Sequence, residues 1–315
     1  MKSLRIVFMG TPDFAVPALQ ALVQATYDVV AVYTQPDKER GRGKQITYSP
    51  VKAQARQLGI PVYQPTTLRE IAVQEELSTL KPDLIVVIAY GKILPKAVLT
   101  IPTYGCMNVH ASLLPSYRGA APIQYAIKDG VTQSGVTIMQ MDEGLDTGDI
   151  LIQRRYTLAP KETTGSLFDK LSELGASALL EVLGKIETYQ HQAIRQDEKE
   201  ASYTAKIEKK QAMLDWREDA VQLERWIRTL DPHPGAYTLW QQKRLKIWSA
   251  TVVEGQDVMP GTIIAVTKTA FVVQTGRGAL QIDVVQPESR KRMTTAQFLQ
   301  GNEMTIGDSL AVPTV

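Results

Sequence analysis

The chain has 315 residues, enough for two domains, and its 44% hydrophobic and 22% charged residues are typical of a globular protein. It contains no uninterrupted apolar run of about 18 residues, so no segment is expected to cross a membrane. Cys106 is the only cysteine, which excludes an intrachain disulfide and a cysteine-based zinc site and favours a reducing, cytoplasmic compartment. A formal net charge of +2 excludes a broadly basic surface, so any nucleic-acid contact is expected to use local patches.

The first half of the chain alternates strand-like apolar runs with segments of helical spacing. Strands are predicted at 4–9, 29–33, 62–63, 84–90, 105–110 and 135–141, and helices at 14–23, 52–58, 71–80, 123–128 and 165–183. The run 84–90 is almost continuously apolar, as in a central strand that is buried on both faces. This alternation predicts an α/β fold with a doubly wound, mostly parallel, Rossmann-like sheet, in which ligands bind at the carboxyl ends of the strands.

The composition changes near residue 190. Residues 190–209 are polar and charged, and they are interpreted as a linker between a first domain at 1–189 and a C-terminal domain at 210–315. The second domain is predicted to contain one helix at 220–230 and strands at 245–248, 262–266, 270–274 and 280–285. Turn residues separate these strands at the spacing of a small β-barrel of the OB type.

Two polar residues, Asn108 and His110, lie two positions apart in the predicted strand 105–110. They therefore share one face of the strand at its carboxyl end, where polar groups are costly to bury unless they have partners or a chemical task. Asp146 lies in a glycine-containing acidic loop after the next strand. An amide donor, an imidazole and a carboxylate at neighbouring strand ends are typical of an acyl-transfer site. The alternative is structural: two hydrogen-bonded core residues and an aspartate that shapes a turn.

The motifs around these residues resemble those of the folate-dependent formyltransferases, namely Asn108-Val109-His110, Ser112-Leu113-Leu114-Pro115, Tyr117-Arg118-Gly119 and Asp146-Thr147-Gly148. The resemblance implies formyl transfer from 10-formyltetrahydrofolate to the amino group of methionyl-initiator-tRNA, with Asn108, His110 and Asp146 catalytic and no metal. Asn108 or His110 would donate to the developing oxyanion, and His110 or Asp146 would take the proton. That division of labour stays open at this point.

The resemblance also implies where the folate binds. A pterin ring needs an apolar slot and a few polar backbone groups, and loops at the strand ends supply both. The expected folate-binding residues are Ile88, Tyr90, Gly91, Ser112, Leu113, Leu114, Pro115 and Asp142. By composition alone, the same residues are more often plain core and turn residues than folate-binding residues.

Basic segments are expected to contact the tRNA. The loop 35–45 alternates cations with glycines, and in the formyltransferases that this chain resembles a similar loop is thought to enter the acceptor end of the tRNA. The expected tRNA-binding residues are Arg40, Arg42, Lys44, Lys206, Lys209, Lys210, Arg290, Lys291 and Arg292.

Two other interpretations compete. Formyltransferases that act on glycinamide ribonucleotide or an amino-sugar nucleotide share the three catalytic residues, but the Arg42 loop and the second domain favour tRNA. A non-catalytic RNA- or nucleotide-binding protein on the same scaffold does not explain why Asn108, His110 and Asp146 occur together. The sequence does not determine the oligomeric state, and a monomer is expected.

Overall fold

The structure, a computed structural model, describes residues 4–40 and 45–313. These residues divide into two compact units. The first comprises the described residues up to Pro122 together with Gln133–Thr157 and Phe168–Thr204. The second comprises Ile123–Thr132, Leu158–Leu167 and the described residues from Ala205 onward. Most of the segment interpreted as a linker, up to Thr204, therefore groups with the first unit.

The strands of the first unit are β1 (Arg5–Gly10), β2 (Asp28–Tyr33), β3 (Lys38–Arg40), β4 (Gln45–Thr47), β5 (Val62–Tyr63), β6 (Leu84–Ile88), β7 (Cys106–His110), β8 (Arg118–Gly119), β9 (Gln133–Gln140), β10 (Ile150–Thr157) and β11 (Tyr203–Thr204). Within the described residues a seven-stranded sheet has the order β10-β9-β7-β6-β1-β2-β5. Strands β5, β2, β1, β6 and β7 pair in parallel, and β9 and β10 are added antiparallel. The predicted doubly wound, mostly parallel sheet is confirmed.

The helices up to residue 191 are α1 (Val16–Gln24), α2 (Pro50–Gln57), α3 (Ile71–Thr79), α4 (Lys96–Leu99), α5 (Pro122–Asp129), α6 (Thr164–Leu183) and α7 (Ile186–His191). The start of α2 shows how the sequence sets a boundary. The Ser49 side chain accepts a hydrogen bond from Lys52 N at 3.1 Å, and Pro50 is the first helical residue, where no backbone N–H is needed. No helix of the described ranges is long and apolar enough to span a membrane.

The sequence analysis missed strand β10. Its centre, Gln153-Arg154-Arg155, interrupts the apolar pattern that marks a buried strand. The strand lies at the edge of the sheet, where it pairs with β9 and has only a single bridge, from Ile150 to Ile194, on its other side, and Leu151 is its one buried residue. An edge strand does not need the apolar pattern on which the prediction relied.

The second unit contains α8 (Ala220–Thr229), β12 (Tyr237–Trp240), β13 (Lys243–Val253), β14 (Ile263–Val266), β15 (Phe271–Gln274), β16 (Ala279–Pro287), β17 (Met293–Thr294) and α9 (Thr295–Leu299). The sheet is antiparallel and curled, with the order β12-β13-β16-β15-β14 and β17 paired to β16. Trp216, Phe271 and Phe298 are buried in its core. The Trp216 indole N–H donates to Thr238 Oγ1 at 3.1 Å, which satisfies the one polar group of that side chain. The expected barrel-like second domain is confirmed.

Candidate active site

Asn108 and His110 lie at the carboxyl end of β7, in the interior of the first unit's sheet. β7 pairs in parallel with β6, where Asn108 is opposite Val87, and antiparallel with β9, where His110 is opposite Thr137. The side chain of Asn108 is half-buried, whereas His110 is only 6% exposed. The two side chains therefore share a strand face in a partly desolvated position, as the alternation predicted.

The hydrogen bond of His110 determines which ring nitrogen carries a proton. His110 Nε2 lies 3.0 Å from the carbonyl oxygen of Tyr117. Because a carbonyl oxygen only accepts hydrogen bonds, Nε2 is the protonated nitrogen. The other nitrogen, Nδ1, faces Asp146 Oδ2 at 3.7 Å. In the imidazolium form His110 would therefore direct its second N–H at a carboxylate, and Nδ1 is the atom through which it can exchange a proton.

Asp146 is held in place by backbone groups. Its Oδ2 accepts a hydrogen bond from Gly119 N at 2.8 Å, and its side chain is 13% exposed. Its φ of 55° lies in the left-handed region, which costs a non-glycine residue energy and needs support from neighbours. Gly148 is required two residues later, since a Cβ there would lie 1.7 Å from Gln140 O. The structure thus brings together residues 36 positions apart, from the end of β7 and from the loop after β9.

The loop 112–116 is fixed by its own polar groups. Ser112 Oγ donates to Ser116 O at 2.6 Å, and Thr137 Oγ1 donates to Ser112 O at 2.7 Å and accepts from Leu114 N at 3.1 Å. Ser112 and Leu114 are buried, whereas Leu113 and Pro115 are half-buried. Of the four residues expected to bind folate here, Ser112 takes part in these internal contacts with its side chain and its carbonyl, and Leu114 takes part with its backbone N–H.

The end of β6 and the loop after it contain three of the residues expected to bind folate, Ile88, Tyr90 and Gly91. The side chains of Ile88 and Tyr90 are buried, and Tyr90 packs in the core beside Tyr33, where burial raises its pKa to about 12. The Tyr90 carbonyl accepts from Gln35 Nε2 at 3.0 Å and from Thr11 Oγ1 at 3.2 Å. Gly91, with a φ of 78°, is exposed, unlike Ile88 and Tyr90.

Two exposed apolar side chains that were not predicted as site residues lie on the loops that follow β6 and β9. Ile93, after β6, is 76% exposed, and Leu145, after β9, is 61% exposed. A salt bridge of 3.0 Å between Lys96 Nζ and Glu143 Oε1 links the two regions. Asp142 Oδ1 shapes the second loop by accepting from Gly144 N and Thr147 Oγ1. Ile93 and Leu145 could have been identified from the sequence as large apolar residues in loops that contain glycine.

The expected tRNA-binding residues fall into two groups. Arg42, Lys44 and the side chain of Arg40 lie outside the described residues. The others are exposed on the second unit, namely Lys206, Lys209, Lys210, Arg290, Lys291 and Arg292. Two of these cations have partners within the chain. Lys210 pairs with Glu208 at 2.8 Å, and Arg292 pairs with Asp231 at 2.6 Å and lies over Trp248 at 3.4 Å from the ring centre.

The described part of the chain contains no cluster of three His, Cys, Asp or Glu side chains that could hold a metal ion. It does contain a buried cation, Arg118, whose contacts were not predicted from the Tyr117-Arg118-Gly119 motif. Arg118, in β8, is fully buried and bonds to Gln196, Glu198 and Tyr203, all from the segment interpreted as a linker. β11 pairs with β8 in the same region.

Comparison with known proteins identifies the class to which this fold and site belong. A formyl transferase family model matches residues 4–183, and a model of the formyl transferase C-terminal domain matches residues 206–303. The chain therefore belongs to the formyl transferase family, as its motifs predicted.

Relatives specify the branch of the family. The methionyl-tRNA formyltransferase of Lachnospira eligens is 48% identical over 310 residues, which covers 96% of this chain and 98% of the relative. The methionyl-tRNA formyltransferase of Magnetococcus marinus is 48% identical over 313 residues, covering 98% and 99%. Among solved structures, HypX from Aquifex aeolicus in complex with tetrahydrofolic acid has a TM-score of 0.61 at 20% identity. It covers 95% of this chain, which spans only 47% of HypX, and the likeness is one of fold.

Proposed function

We propose that this protein transfers the formyl group of 10-formyltetrahydrofolate to the amino group of methionyl-initiator-tRNA and so supplies formylmethionyl-tRNA for translation initiation. The observation that carries this proposal is the placement of His110 Nδ1 at 3.7 Å from Asp146 Oδ2, beside Asn108 on the same strand face. Identity of 48% to methionyl-tRNA formyltransferases over nearly the whole chain supports the choice of acceptor.

The chemistry sets the tasks of the three residues. Transfer replaces one C–N bond with another, so the acceptor nitrogen loses a proton, the leaving nitrogen gains one, and the formyl oxygen carries negative charge in between. The half-buried Asn108 amide is a donor for that oxygen, and one such donor typically contributes about 2.7–4 kcal/mol to lowering a barrier. Because His110 Nε2 is bonded to Tyr117 O, His110 acts through Nδ1. His110 and Asp146 therefore work as one unit that holds and passes the proton.

The residues present fit a folate at the edge of the sheet. The exposed side chains of Ile93 and Leu145 offer apolar surface for a pterin ring, and Gly91 offers backbone polar groups. Asp142, expected as a folate residue, is exposed on the same loop as Leu145. The folate would supply the formyl group, and these residues would orient it toward Asn108 and His110.

The acceptor is proposed to use the rest of the chain. The loop around Arg42 would reach the acceptor end of the tRNA. Of the cations expected to bind tRNA, the four on the second unit that have no ion-pair partner among the described residues would contact phosphates, namely Lys206, Lys209, Arg290 and Lys291. In this proposal the first domain performs the chemistry and the C-terminal domain holds the tRNA.

The test is a comparison of acceptors at fixed 10-formyltetrahydrofolate, with the release of tetrahydrofolate followed by absorbance. Methionyl-initiator-tRNA should support turnover, whereas uncharged initiator tRNA and methionyl-elongator-tRNA should support little. Glycinamide ribonucleotide and an amino-sugar nucleotide are included because their formyltransferases share the same trio. Faster release with either small acceptor than with methionyl-initiator-tRNA would overturn the proposed substrate.

A further inference from the structure

The buried guanidinium of Arg118 is fully satisfied by residues from 196–203. Arginine has five N–H donors, and all are used. Nε and Nη2 donate to Gln196 Oε1 at 3.0 and 2.9 Å, Nη2 and Nη1 donate to the two Glu198 carboxylate oxygens at 2.9 Å each, and Nη1 donates to Tyr203 Oη at 2.8 Å. A buried charge is tolerated only when it is paired and hydrogen-bonded in this way. Arg118 therefore fixes the segment that follows α7 onto the first unit.

The same contacts determine the orientation of the Gln196 amide. Its oxygen accepts two hydrogen bonds from Arg118, so its nitrogen must point to the opposite side. There Nε2 donates to Asp146 O at 2.8 Å and to Gly148 O at 2.7 Å. Both N–H groups of the amide are used. The amide cannot be flipped, because Arg118 offers only donors and the two carbonyls only accept.

Asp146 is consequently held from two directions. Gln196 binds its backbone carbonyl, and Gly119 N, the residue after Arg118, binds its carboxylate at 2.8 Å. A left-handed φ in a non-glycine residue is strained and persists only where the surrounding contacts hold it. The hydrogen bond from Gln196 provides this support for Asp146, the residue that faces His110.

We infer that Gln196 is a positioning residue of the transfer reaction: buried Arg118 aims its amide, and the amide holds the carbonyls of Asp146 and Gly148 so that the Asp146 carboxylate reaches His110. The inference rests on the proposed role of Asp146. A purely structural role for Gln196 would instead be limited to tying residues 196–203 to Arg118, without effect on the chemical step.

Gln196→Glu separates the two roles. The glutamate retains an oxygen for Arg118, so the attachment of the segment is kept, but it replaces the donating N–H groups with an oxygen that repels two carbonyls. We expect a protein that still folds, with a lowered melting temperature because two buried hydrogen bonds are lost, unchanged KM for folate and tRNA, and a kcat lowered about tenfold to hundredfold, as for other small displacements of catalytic groups. In an Asp146→Asn background the same substitution should cause no further loss.

Gln190→Glu is the matched control. Gln190 Nε2 also donates to a backbone carbonyl of the first unit, Tyr104 O at 2.9 Å, but makes no contact with Asp146 among the described residues. Its kcat should equal that of the wild type. Gln196→Met, which lacks both the donor and the acceptor, is measured in parallel so that misfolding of one variant does not decide the result.

The outcomes separate the inference from the proposed function. If the wild type does not formylate methionyl-initiator-tRNA, the proposed function fails first. If the wild type is active and a folded Gln196→Glu or Gln196→Met protein retains wild-type kcat, only the inference is overturned. A loss confined to KM, or an equal loss in the Asp146→Asn background, would also overturn it.

Discussion

Asp146→Asn removes the negative charge of the side chain and keeps its shape. The amide oxygen of asparagine can still accept the hydrogen bond from Gly119 N, so the loop is expected to stay in place. What disappears is the negative charge that faces His110 Nδ1 at 3.7 Å. Two unit charges at that distance, in an effective dielectric of about 20, attract by about 4 kcal/mol. The 13% exposure of the Asp146 side chain reduces this through solvent screening.

We therefore expect Asp146→Asn to lower the rate of formyl transfer by about two to three orders of magnitude. The assay is single-turnover transfer from 10-formyltetrahydrofolate to methionyl-initiator-tRNA across a pH series, with folate affinity measured separately and expected to change little. Asp149→Asn is the control, because it removes one charge from an exposed position three residues further along the same loop. An Asp146→Asn protein that keeps the wild-type rate and both limbs of the pH profile would reduce Asp146 to a structural residue.

Three further predictions concern stability and tRNA use. Desolvation raises the pKa of Glu224, but hydrogen bonds from Arg228 and Lys161 outweigh it, so the pKa lies below the usual value of a glutamate. The stability gained from this pairing is present above the unfolded-state pKa and is lost as pH falls through the folded-state pKa. Glu224→Gln should therefore destabilise the second unit by about 1–3 kcal/mol at neutral pH and flatten the loss of unfolding free energy in acid, and parallel pH–stability curves would contradict this. Gly235→Ala should lower the melting temperature by several degrees, because φ is 81° and a Cβ would lie 2.5 Å from Trp248 Cη2; an unchanged melt would refute this. Arg42→Lys, in the loop outside the described residues, should lower kcat/KM for tRNA about tenfold and spare folate binding, since lysine lacks the planar fork; a lysine variant equal to wild type would make Arg42 a point charge.

The parts of the fold that were predictable follow local periodicity. β6 is buried along its length, so its continuous apolar run identified it, and the alternation in β7 placed Asn108 and His110 on one face. Asp146 was found from its glycine-containing loop and the Asp146-Thr147-Gly148 motif, although β9, the strand before that loop, runs antiparallel to β7. These features are determined by neighbours in sequence.

The parts that were not predictable depend on distant partners. The burial of the Tyr90 side chain in the core and the hydrogen bond from Gln35 to its carbonyl could not be predicted from the residues next to it in sequence. Gln196 looked like a linker residue because its surroundings are polar, yet it bonds to Arg118, 78 positions earlier, and to the Asp146 carbonyl. Polarity in sequence does not distinguish a solvated segment from one whose polar groups are bonded within the fold.

The most direct test of the account is a double-mutant cycle at His110 and Asp146, measured by single-turnover formyl transfer to methionyl-initiator-tRNA. Residues that act as one proton-holding unit lose their joint effect when either is removed. The account predicts that His110→Ala and Asp146→Asn each lower the rate by about two orders of magnitude or more, and that the double variant is no slower than the slower single variant. If the two losses multiply in the double variant, His110 and Asp146 act independently, and the account of the site is contradicted.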